Sequence, residues 1–170
     1  MGRCLTINGN PSLNDLHRAV VSCSLNGKAR FSYVREGTKA HVLLSSSDSS
    51  SVVFGDLSPF VENRGPIEFW IRLNPVRRYD GRRERPVREE EMEKWIEEKL
   101  EGHGFNPILV KTISVDKEIF GRKNTSFVTS VLADVSAVVV DKEKAEKAIA
   151  EGIGRLKAFG FGMPVIRRTS

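Results

Sequence analysis

His17 and Arg18 stand side by side, a proton-transfer group next to a fixed cation. A histidine titrates near neutral pH and can serve as general acid or general base. His17 follows Leu13 by four residues, so on a helix it borders the apolar face, where a helix meets a cleft. From spacing alone a structural role remains the better reading. A second group lies near the C-terminus, in the stretch GIGRLKAFGFGM, where Gly152, Gly154, Gly160 and Gly162 surround Arg155 and Lys157. Glycine permits positive φ and close backbone approach, and successive exposed N–H groups can meet phosphate oxygens. A helix end followed by a glycine-rich strand would account for Gly152, but not for four glycines with two cations. The stretch lacks the GxxxxGK[ST] pattern and precedes a strand instead of following one. It is therefore neither a Walker loop nor a dinucleotide fingerprint. A third group, Gly121-Arg122-Lys123-Asn124, falls at a turn. Two cations there can reach a groove or a backbone, and a merely solvated turn fits equally well.

The remaining histidines suggest less. His41 falls in a predicted strand and reads as structural; His103 sits between two glycines past a helix and reads as solvated or capping. No cluster of carboxylates has metal-ligand spacing, so no metal is expected, and no cofactor is expected either; Ser/His/Asp chemistry stays open, although no GxSxG nucleophile motif occurs. The two cysteines, Cys4 and Cys23, lack CxxC spacing, which argues against a zinc site or a disulfide framework; both read as small apolar residues.

Charge is segregated. Net charge is +5, and the eight arginines from Arg64 to Arg88 face only three acids, Glu68, Asp80 and Glu84. The next thirteen residues, 89–101, hold seven glutamates. Arginine-rich segregation suits phosphate, so Arg77, Arg78, Arg82 and Arg83 are candidate nucleic-acid contacts. A solvated charged surface is the competing reading.

These groups need elements to hold them. A hydrophobic content of 39% over 170 residues fits one ordinary domain or two small ones. No apolar run reaches membrane-spanning length and the first residues lack a signal-peptide core, so a cytoplasmic protein is expected. Residues 3–7 predict a strand. Ser12 or Asn14 caps a helix with Leu13, Leu16 and Val20 on one face. Residues 29–35 and 41–45 predict a hairpin. SSSDSSS is a low-complexity loop, and a weak segment follows to residue 63. PIEFWIRL predicts a strand, and residues 74–86 an arginine-loaded connection. Residues 88–101 predict a helix, with Met92, Trp95, Ile96 and Leu100 at helical spacing. A long hairpin pairs residues 106–115 with 125–140 around a tip at 117–124. A helix capped by Asp141, the glycine loop and a last strand complete the chain. The order from residue 66 is βαββαβ, the ferredoxin-like order. The expected fold is α+β, with tandem ferredoxin-like (RRM-like) βαββαβ domains, the first of them shortened. Residues 1–64 would form the N-terminal domain with His17, and residues 65–170 the C-terminal domain with the basic hairpin and the glycine loop.

GIGRLKAFGFGM resembles the C-terminal glycine-rich signature of the CRISPR repeat-processing endoribonucleases, type I-E Cascade subfamily. LHRAV resembles their N-terminal Leu-His-Arg helix motif, ARFSYVRE the following strand, and IEFWIRLNPVRR the strand entering the second domain. Trp95-Ile96 and Gly104-Phe105 match the next helix and strand, so the resemblance spans nearly the whole chain. It implies a metal-independent cut in the repeat of precursor CRISPR RNA at the base of a hairpin, with retention of the product. The 2′-hydroxyl attacks the adjacent phosphate and leaves a 2′,3′-cyclic phosphate. His17 matches the family's catalytic histidine, as base on the 2′-hydroxyl or acid on the leaving 5′-oxygen, which reverses the reading from spacing. Arg122 and Lys123 match the basic hairpin, Arg155 and Lys157 would hold the backbone near the cut, and Arg18 with Lys157 would stabilise charge. Partners would be the repeat RNA hairpin and other Cascade subunits, with the chain a monomer or weak dimer away from any membrane. The family carries a Tyr three residues before its histidine, where this chain has Asn14, and the segment 45–65 is shorter than usual. A non-catalytic subunit that holds a repeat stem in a ribonucleoprotein therefore stays open as the alternative.

Overall fold

The computed structural model describes residues 3–24, 30–44, 65–120, 123 and 126–167. In the N-terminal unit, strand β1 (Arg3–Ile7) leads to helix α1 (Leu13–Cys23), then to strands β2 (Phe31–Glu36) and β3 (Lys39–Leu44). The helix starts at Ser12 because a reciprocal capping box closes there. The Ser12 hydroxyl accepts from the Asp15 amide at 3.2 Å, and the Asp15 carboxylate accepts from the Ser12 amide at 2.9 Å. Leu13, Leu16 and Val20, on one helical face, are buried against an antiparallel sheet of order β1-β3-β2. In β3 the buried Ala40, Val42 and Leu44 alternate with less buried neighbours, which sets the register of the sheet.

The C-terminal unit contains β4 (Ile67–Leu73), β5 (Val76–Tyr79), β6 (Arg83–Pro86), α2 (Met92–Glu101), β7 (Phe105–Phe120), β8 (Ser126–Val139), α3 (Lys142–Glu151) and β9 (Val165–Ile166). Its main sheet has the order β7-β8-β4-β9, all antiparallel. Without the β5–β6 pair, this is the ferredoxin-like arrangement in which the first and third strands lie at the centre. Met92, Trp95, Ile96 and Leu100 of α2 and Ala145 and Ala148 of α3 share one core with Ile67, Phe69, Ile71 and Leu73 of β4. The N-terminal unit repeats the first four elements of the pattern. Residues 45–64, and with them the end of that unit and its boundary at residue 64, lie outside the described residues. No helix among the described residues is long and apolar enough to cross a membrane.

Three features differ from the sequence expectation. The arginine-loaded connection is a β-hairpin, in which Asp80 and Gly81 take φ of 50° and 71° at the turn, a conformation these two residue types tolerate best. The long hairpin is more extended: β7 continues to Phe120, and the tip shrinks to residues 121–125, of which only Lys123 is described. Two register shifts leave Ile108 and Ile113 unpaired as bulges, which lets the 16 residues of β7 run against the 14 of β8. Cys4 and Cys23, read as small apolar residues, are exposed free thiols.

Candidate active site at the junction of the two units

The glycine-rich loop closes back onto helix α1. His17 lies half-buried on that helix, and its Nδ1–H donates to the carbonyl oxygen of Ala158 at 2.8 Å. A carbonyl only accepts, so the proton sits on Nδ1 and the neutral ring keeps its lone pair on Nε2. The ring of Phe159 lies 5.1 Å from the imidazole, and Phe120, at the end of β7, meets Phe159 edge-on at 4.9 Å. Aromatic contact and hydrogen bond together fix the orientation of the imidazole. Arg18 is exposed on the next position of the helix.

The loop's shape follows from alternate anchoring. Leu156 packs into the N-terminal core while its neighbours Arg155 and Lys157 stay exposed. Leu156 is held at φ 58°, a left-handed conformation that costs a non-glycine residue about 1–3 kcal/mol. Gly152, Gly160 and Gly162 are buried, whereas Gly154 is exposed. A Cβ on Gly160 would stand 2.7 Å from the rings of Phe31 and Tyr33, and one on Gly162 would stand 2.2 Å from the Ile153 carbonyl oxygen. The amides of Gly152 and Gly162 donate to Ala148 and Arg72 carbonyls, so both are occupied within the protein. Packing thus explains three of the four glycines, and the two cations are what the loop presents outward.

The two units are also joined by two arginines, Arg72, which is buried, and Arg35, which is partly buried. Arg72 of β4, 2% exposed, donates to the Tyr33 carbonyl at 3.1 and 3.2 Å and to the Ser130 hydroxyl at 2.6 Å. Its guanidinium lies 4.2 Å from the centre of the Tyr33 ring. Burial pushes the Tyr33 phenol far above its ordinary value and keeps it neutral. Arg35 of β2 forms a bidentate pair with the buried Glu118 of β7, at 2.6 Å for the shortest contact, and donates to the Pro11 carbonyl at 2.8 Å. Pro11 immediately precedes the cap of α1. Sequence reasoning missed Arg35, Glu118, Arg72 and Phe159, of which only Phe159, an aromatic among small residues, carried a local signal.

The other predicted residues fall in three groups. Arg155 pairs with Glu84 of β6, and Glu84 also holds Arg78 at 3.2 Å. The hydrogen bond from Arg155 is the main cause that holds the Glu84 carboxyl below its ordinary value. Arg77 pairs with Glu98 at 3.5 Å. Arg82 and Arg83 are exposed at the β5–β6 turn and make no ion pair among the described residues. Lys123 is exposed at the tip of the long hairpin; Arg122 lies outside the described residues. His41 bonds Glu36 at 3.0 Å and Thr6 at 3.2 Å, and His103 donates to the last turn of α2 through the Lys99 carbonyl. Among the described residues no three His, Cys, Asp or Glu side chains gather as a metal site.

The fold is shared with solved proteins. CRISPR endoribonuclease Cse3 bound to 19 nt RNA is 23% identical, with a TM-score of 0.69 over 92% of this chain and 88% of the other. Cse3 of Thermus thermophilus, bound to an RNA representing a pre-cleavage complex, is 20% identical, with a TM-score of 0.69 over 96% and 98%. Cas6e from Escherichia coli str. K-12 is 21% identical, with a TM-score of 0.73 over 99% and 100%. At these identities the likeness is one of fold. No curated protein matches the sequence significantly. The family model described as CRISPR associated protein matches residues 11–168, and the chain belongs to that family.

Proposed function

We propose that the chain is a metal-independent endoribonuclease that cuts CRISPR precursor RNA within the repeat, at the base of its hairpin. The observation that carries the reading is the hydrogen bond from His17 Nδ1 to Ala158, which leaves Nε2 without a hydrogen bond among the described residues, while Arg18, next to His17 in the chain, and Lys157, next to Ala158, are exposed. In the neutral ring Nε2 takes the proton of the 2′-hydroxyl as its oxygen attacks the adjacent phosphorus. In the protonated ring Nε2 gives a proton to the 5′-oxygen as the P–O5′ bond breaks. The products are a 2′,3′-cyclic phosphate and a 5′-hydroxyl. Arg18 and Lys157 stabilise the negative charge that builds on the pentacoordinate phosphorus, a role positioned cations fill without a metal. Lys123 at the hairpin tip and the arginines of β5–β6 hold the stem by its phosphates, since A-form helices are read by shape and backbone.

Solved proteins of this fold carry endoribonuclease activity in their descriptions and are seen with RNA, which supports the reading. One observation favours the second reading, a subunit that holds the repeat RNA alongside other Cascade subunits without cutting it. Asn14, half-buried one turn before His17, has no acidic proton to lend. The test is incubation of the purified chain with end-labelled repeat hairpin RNA in EDTA. A single cut at the stem base, with an end that resists phosphatase until acid opens it, supports the endoribonuclease. Tight binding without a cut moves the assignment to the holding subunit.

A further inference from the structure

The long hairpin has two faces with different surroundings. Glu118, Phe120, Val128 and Ser130 turn toward the N-terminal unit, as their contacts with Arg35, Phe159, its core and Arg72 require. Strand alternation therefore sends Lys117, Phe127 and Thr129 to the opposite face. There Phe127 is 63% exposed. It borders a cleft of about 430 Å³ lined by Pro86, Lys117, Phe127, Val128 and Thr129. Pro86 ends strand β6, so the cleft runs between the arginine hairpin and the long hairpin. No carboxylate lines it, and Lys117 makes no ion pair among the described residues. A second exposed apolar pair, Ile113 and Val115 on β7, shares its depression with Glu89, Glu90 and Glu93 and would repel a polyanion.

We propose that Phe127 is a stacking platform for an unpaired base that flanks the RNA stem, with Lys117 on the adjoining phosphate. The proposal rests on the RNA-binding part of the reading above and deepens it. Bases inside a stem have both faces covered by their neighbours, and the deep groove of A-form RNA admits no aromatic ring to them. An unpaired base offers a free face, and an aromatic side chain flanked by cations is the arrangement that takes one. The cleft lies on the hairpin face away from His17. It therefore holds a nucleotide distinct from the one cut, and adds a requirement for single-stranded RNA beside the stem.

Repeat hairpin RNA with and without its single-stranded flanks, titrated against the parent, Phe127→Ala, Phe127→Leu and Phe127→Trp, tests this. The parent binds the flanked RNA more tightly than the bare stem. Phe127→Ala and Phe127→Leu each weaken binding of the flanked RNA roughly 5- to 150-fold and leave the bare stem unchanged, while Phe127→Trp binds like the parent. Parent-like binding by Phe127→Leu, or an equal loss on flanked and bare RNA, overturns the proposal. So does the absence of any RNA binding. Cutting is scored separately: RNA cut normally but bound without a flank effect removes the platform and leaves the endoribonuclease standing. A flank effect without cutting does the reverse.

Discussion

His17 Nδ1 stands 2.8 Å from the carbonyl oxygen of Ala158, 141 residues further along the chain. This hydrogen bond unites a helix of the first ferredoxin-like unit with a loop of the second. It also decides which imidazole nitrogen carries the proton and which keeps a lone pair. A histidine that was ambiguous on its helix is held in one orientation because a distant loop closes over it.

The loop that supplies Ala158 depends on its glycines for shape. Gly160→Ala and Gly162→Ala each force a Cβ into occupied space at a left-handed position. Each is expected to lower stability by about 2–5 kcal/mol in urea unfolding. Gly154→Ala has room at 3.8 Å and faces only its own φ of +81°, so its loss is smaller, about 1–2 kcal/mol.

Arg35 and Glu118 tie the hairpin to the cap of α1. Glu118 is 3% exposed, so Arg35→Ala leaves a buried carboxylate without its partner and costs about 3–5 kcal/mol by urea titration. Replacing both, Arg35→Met with Glu118→Leu, recovers most of that loss, because the stranded charge is gone.

The capping box predicts a pH dependence. The Ser12 hydroxyl, followed by its backbone amide, holds the Asp15 carboxyl below its ordinary value. A group depressed on folding adds stability that is complete above its unfolded value, about 3.9, and is lost as pH falls through the lower folded value. Asp15→Asn should therefore melt below the parent at pH 7, and the two melting temperatures should converge at strongly acid pH. Ser12→Ala lowers stability by about 0.5–2 kcal/mol at neutral pH.

Glu84 occupies Arg155 and Arg78 in the free protein. On the proposed reading, RNA phosphates compete with Glu84 for both guanidinium groups. Glu84→Gln should tighten binding of the repeat hairpin by up to about fivefold, the scale of an exposed ion pair. Glu143→Gln on α3, the same change of charge at another site, should not.

The βαββαβ order of the second unit was legible because its apolar spacing, turn residues and caps are local. PIEFWIRL could scarcely be anything but a strand, and Asp141 caps its helix as its type suggests. The β5–β6 hairpin was not legible: its strands are arginine-rich and exposed, so apolar alternation is missing and only Asp80-Gly81 marks the turn. At the site, His17 and the loop cations were visible by type. Their union was not, since it rests on contacts between residues far apart in the chain. Buried partners such as Arg72 and Tyr33 look like ordinary strand residues until the two units close on each other.

The central claim is that His17 performs the proton transfers of an RNA cut. Single-turnover cleavage of repeat hairpin RNA by the parent and His17→Ala, with binding measured in parallel, tests it most directly. The account predicts a rate lower by roughly 10²–10⁴-fold with RNA affinity nearly unchanged. Cutting by His17→Ala at the parent's rate would contradict it.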